Sequence, residues 1–123
     1  MQKEILNNDR YKKLVDEKHH LINRYIHNYE VMKLAVKLYG SEDPFLMAGA
    51  LLHDFFFDYQ LSTIRGHSKT SLKNSKREFP AIVDKEVEHI ILSHMWPISG
   101  AMPRTKRAWC VNLADKLVSL KLN

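Results

Sequence analysis

Apolar residues along this chain recur at helical spacing. Val31, Leu34, Ala35 and Leu38 share one face of a helix expected over residues 20–39, with Gly40 as its stop. Ser41 reads as an N-cap, with Glu42, Asp43 and Pro44 in the first turn of a helix reaching about residue 57. Residues 60–70 read as a polar loop, and TSLKNSKREF (70–79) as a short helix. Pro80 opens a further helix that ends near His94, because Pro97 and Gly100 follow closely. A last helix is expected over residues 104–122, and a weakly patterned one within the first 17. The alternating pattern of a strand is absent. The expectation is an all-α, compact bundle of about five or six helices.

Several polar residues fall on these apolar stripes. Four residues before Val31 stands His27. After Pro80, Val83, Val87, Ile90 and Ile91 share a face whose next member is His94. Asp115 lies within the stripe of Ala108, Val111, Val118 and Leu122. PFLMAGALLHDFFF (44–57) is apolar nearly all round, so His53 and Asp54 point inward whichever way that helix turns. An unpaired buried carboxylate costs several kcal/mol. Lys116 follows Asp115 but points about 100° away from it, a poor ion-pair partner. A hydrogen-bonded core pair, a helix end reaching solvent and a metal site each explain one such residue. Three imidazoles and two carboxylates converging from four helices match a metal site in a bundle core.

Composition narrows the classes. A chain of 123 residues with 45% hydrophobic and 27% charged residues is expected to be one globular domain, 1–123. No apolar run approaches the roughly 20 residues that span a bilayer, so no membrane partner is expected. The start, MQKEILNNDRYKKLVDEK, lacks the apolar core of a signal peptide, and a cytoplasmic location is expected. Cys110 is the single cysteine, which excludes an internal disulfide and a cysteine-rich zinc site. The net charge of +5 favours anionic partners. The basic residues are scattered rather than striped, and no helix-turn-helix or zinc-finger spacing is present, so nucleic acid is not expected as a partner. The phosphate-cradling patterns GxxxxGK and GxGxxG are absent.

The segments HHLINRYIHNYEV (19–31), AGALLHDFFFDY, GHSKTSLKNS and IILSHMWPISGAMPRTKRAWCVNLADKLVSL resemble the HD-domain superfamily of metal-dependent phosphohydrolases, in particular its small bacterial members. The resemblance covers about residues 18–122 and leaves residues 1–17 as an additional N-terminal helix. It implies that His27, His53, Asp54 and Asp115 hold a first metal. It also implies that Asp54 bridges to a second metal completed by His67 and His94. His67 enters on the resemblance alone, since a loop has no periodicity. The chain departs from the pattern at Asn28, where a small residue is usual, and in a short loop before His67.

Mixed imidazole and carboxylate donors without thiolate suit one or two divalent ions of iron, manganese, zinc or cobalt. The resemblance implies hydrolysis of a phosphate ester or anhydride, in a small nucleotide, by water activated at the metal. Asp54 and Asp58 are the carboxylates expected to take part in catalysis. His20, Arg24, Lys69 and Arg104 are expected to bind the anionic substrate, because they neighbour proposed ligands. His19 and His89 fall off the stripes and read as surface residues. The alternative is a catalytically inactive HD module that binds metal and nucleotide as a sensor or a partner-binding domain.

Overall fold

The computed structural model describes residues 1–19, 22–60 and 66–121. Its elements are α1 (Gln2–Leu6), α2 (Asp9–Lys12), β1 (Lys18–His19), β2 (Ile22–Asn23), α3 (Arg24–Tyr39), α4 (Pro44–Leu52), α5 (His67–Glu78), α6 (Lys85–Ser93) and α7 (Lys106–Lys121). Short 3-10 turns lie at Lys13–Asp16 and Asp58–Gln60. The fold is all-α. Its departure is a two-residue antiparallel hairpin, Lys18 opposite Asn23 and His19 opposite Ile22.

The expected helix over the first 17 residues is broken, because the Asn8 side chain accepts the Tyr11 N–H and caps a new start instead. Asn23 likewise caps α3 later than residue 20, by accepting from Ile26 N–H. Gly40 ends α3 at φ 99°, a left-handed position where a Cβ is costly. Asp43 caps α4 by accepting from Leu46 N–H, and its carboxylate is held by Arg107 of α7 through two bonds of 2.8 Å. Pro80 does not open a helix. It lies in a turn, and α6 begins only where Asp84 caps Val87 N–H. In α7 the Thr105 hydroxyl accepts from Ala108 N–H, so the helix starts at Lys106 rather than 104.

Helices α3, α4, α6 and α7 surround a core in which Val31, Leu46, Leu51, Phe55, Ile90 and Val111 are all fully buried. The α4–α6 contact is unusually close. A Cβ on Gly49 would lie 2.5 Å from Ile90 Cγ2. Glycine at that position lets the C-terminal ends of the two helices meet. The inward face of α5 is Ser68, Ser71, Asn74 and Ser75 rather than apolar residues. Among the described residues no helix is long and apolar enough to cross a membrane.

Candidate metal centre

Helices α4 and α6 end in the same way. His53 and His94 occupy their C-cap positions, and each turns its ring back onto a carbonyl three residues earlier. His53 Nδ1 is 2.6 Å from Ala50 O, and His94 Nδ1 is 2.7 Å from Ile91 O. Carbonyls in the last turn have no helical partner, and a carbonyl can only accept. Each Nδ1 therefore carries a proton, and each Nε2 points inward toward the carboxylates, His53 toward Asp115 and His94 toward Asp54. Helix α4 ends at Leu52 and not at 57, because its terminal carbonyls are used in this way.

The other donors come from different elements. His27 projects from α3, Asp115 from α7, and Asp54 follows the His53 cap. His27 Nε2 is 2.9 Å and His53 Nε2 3.2 Å from Asp115 Oδ1. His53 and His27 lie 3.5 and 3.6 Å from Asp54 Oδ2, while His94 Nε2 is 3.2 Å from Asp54 Oδ1. All three rings are fully buried. These atoms form two sets of possible metal ligands, His53–His94–Asp115 and His19–His27–Asp54–Asp115, each with its atoms within 4.8 Å of one another.

Burial disfavours the Asp54 and Asp115 carboxylates, yet the imidazoles around them more than offset it and hold both well below the ordinary range. Burial also lowers the His53 pKa, but the charges of Asp54 and Asp115 outweigh this and raise it to about 9. In the metal-free protein a proton thus serves as the cation. His94 Nε2 likewise faces the Asp54 carboxylate, 3.2 Å from its Oδ1. Such a nitrogen and oxygen repel unless a proton or a metal ion lies between them. The donors fit a divalent transition ion, being nitrogen and oxygen without thiolate. Their Nδ1 anchors are the outer-shell bonds that orient metal-binding histidines.

A cavity of about 530 Å³ opens above this cluster. Phe56, Met95, Ile98 and Leu120 give it apolar walls, while Asp54, His94 and Asp115 form part of its lining. His67 also lines it, but as the first residue of α5 rather than in a loop, with its ring stacked on Phe56 at 4.5 Å. His67 belongs to neither set of ligand atoms.

Arg24 reaches the cavity but is committed to protein. It donates to Phe56 O at 2.9 Å, Lys18 O at 3.2 Å and Asp58 Oδ1 at 3.1 Å. Asp58 itself is 68% exposed and meets the site only through Arg24. Lys69 and Arg104 are exposed and are not among the residues lining the cavity; the Arg104 backbone N–H donates to His89 Nε2. His20 lies outside the described residues.

One residue was misjudged in the sequence. His19 is not a surface residue: its ring stacks on His27 at 3.6 Å and its Nε2 is 3.8 Å from Asp54 Oδ2. A two-residue strand has no periodicity that could have revealed this. Burial and the neighbouring His27 lower the His19 pKa to about 4, so the ring is neutral. Lys116, set aside as a partner for Asp115, lines the cavity and donates to His94 O at 3.3 Å and Asn112 Oδ1 at 3.0 Å. Asn28, the departure noted above, is buried and donates to Tyr11 Oη and Asp54 O at 3.3 and 3.4 Å, supporting the segment that carries Asp54.

Comparisons with curated proteins and with solved structures gave no match. The sequence matches the family model described as HD domain over residues 24–120, a stretch that contains His27, His53, Asp54, His94 and Asp115. The chain belongs to the HD domain family, and with it to the superfamily of metal-dependent phosphohydrolases.

Proposed function

We propose that this protein hydrolyses a phosphate ester or anhydride of a small nucleotide. The observation that carries the reading is the buried cluster of His27, His53, His94, Asp54 and Asp115 at the foot of an open cavity. His27, His53, Asp54, His94 and Asp115 would hold a divalent ion, which would supply Lewis acidity toward phosphoryl oxygens and lower the pKa of water.

The chain's own residues supply the rest. Asp54 and Asp115, kept ionised by the surrounding imidazoles, supply the negative charge that holds a divalent cation in this site. Lys116 is the cavity cation with capacity to spare, since an ammonium has three donors and two bonds are described. It contacts a phosphoryl oxygen. Arg24 and Asp58 act as positioning residues, because the guanidinium fastens Phe56, and with it the segment after Asp54, to the start of α3. The apolar side chains of Met95, Ile98 and Leu120 in the cavity lining suit a nucleobase.

Phosphate release from a panel of nucleotides, with manganese, cobalt, zinc or iron supplied, tests the reading. Turnover that disappears in Asp54→Asn supports it. Metal-dependent nucleotide binding without turnover would establish the inactive module instead.

A further inference from the structure

The hairpin that carries His19 is tightly tied to α3. Arg24 N–H donates to Glu17 O at 2.6 Å, the Arg24 guanidinium donates to Lys18 O, and His19 pairs with Ile22 across the strands. These ties hold the His19 ring parallel to that of His27, 3.6 Å apart and 13° from coplanar. Neighbouring hydrogen bonds make this a fixed arrangement rather than a chance contact.

An imidazole binds a metal through a lone pair in its own ring plane. Stacked rings 3.6 Å apart keep their lone pairs in separate, nearly parallel planes, so one ion cannot lie in both planes although the donor atoms fall within one 4.8 Å group. Ions in two-metal sites sit roughly 3.5–4 Å apart, which is close to the spacing of these rings. One Asp54 oxygen, Oδ2, faces both His19 and His27, at 3.8 and 3.6 Å, so this carboxylate is the group within reach of both positions. We propose that His19 is a metal ligand, building a second divalent-cation position beside the one served by His27, with the Asp54 carboxylate shared between them. The inference rests on the metal-centre reading and assigns the second position to His19 rather than to His67.

Titration of metal-free protein with Co2+, followed by calorimetry and by the cobalt absorption spectrum, tests this without any activity assay. The wild type, His19→Ala, His19→Gln and His67→Ala are compared, with circular dichroism confirming that each is folded. Wild type and His67→Ala are expected to bind two equivalents. The His19 variants are expected to bind one, or to bind the second more weakly by over the roughly 10–100-fold that loss of a supporting hydrogen bond costs. The proposal is overturned if the His19 variants titrate like wild type, if the wild type stops at one equivalent, or if His67→Ala alone loses the second. No uptake by the wild type is a separate result, which overturns the metal centre itself.

Discussion

The Nε2 of His94 stands 3.2 Å from Oδ1 of Asp54 in a buried site. The fold imposes this, since His94 is fixed by Ile91 O and Asp54 by the end of α4. Only a proton or a metal ion between them makes the pair favourable, and the consequences of that requirement can be measured.

Metal must displace the proton that His53 holds in the metal-free protein. The pKa of His53 is raised from 6.5 to about 9, so its pairing stabilises the metal-free fold fully below about pH 6.5. That contribution is lost as the pH rises through 9. Metal affinity moves the other way and is expected to strengthen up to about pH 9. Calorimetry in buffers of different ionisation enthalpy should detect proton release on binding at pH 7.

Lys116→Ala removes a cavity cation and its bond to the His94 carbonyl, and leaves every proposed ligand side chain in place. One charge-assisted hydrogen bond contributes about 1.5–3 kcal/mol, so KM for a phosphorylated substrate should rise roughly 10–100-fold. Metal content should stay at the wild-type level. An unchanged KM would remove Lys116 from the substrate site.

Gly49→Ala puts a methyl group into Ile90 and forces α4 and α6 apart. Overpacking of this kind costs about 1–3 kcal/mol, against a helix-propensity gain of up to about 1 kcal/mol. The variant should melt several degrees lower and bind metal more weakly, because His53 and His94 sit at the displaced ends. Adding Ile90→Ala should recover part of the loss in a double-mutant cycle.

The bidentate Asp43–Arg107 pair clamps the start of α4 to α7, and its hydrogen bonds hold the Asp43 carboxyl below the ordinary range. A depressed carboxylate pKa gives stability above the unfolded value of about 3.9, which is lost as the pH falls through the folded one. Arg107→Met should cost about 1–3 kcal/mol at pH 7 by urea unfolding. The difference from wild type should shrink toward pH 3.

His27, His53, Asp54, His94 and Asp115 were legible in the sequence because each interrupts an apolar stripe, and the structure brings all five together. The four main helices followed from the same periodicity, although caps at Asn23, Asp84 and Thr105 shifted the starts of α3, α6 and α7. Helix α5 was harder to delimit, since its buried face is serine and asparagine and gives no apolar signal. His19 was missed for a related reason: what places it is a hairpin tied down by Arg24, a long-range arrangement that local pattern does not encode.

Elemental analysis of protein loaded with Mn2+ or Co2+ and then desalted tests the metal centre most directly, with His53→Ala prepared in parallel. Wild-type protein should retain at least one equivalent of divalent ion, and His53→Ala should lose it while remaining helical by circular dichroism. Equal metal content in the two proteins, or none in the wild type, would contradict a cation centre built on His53.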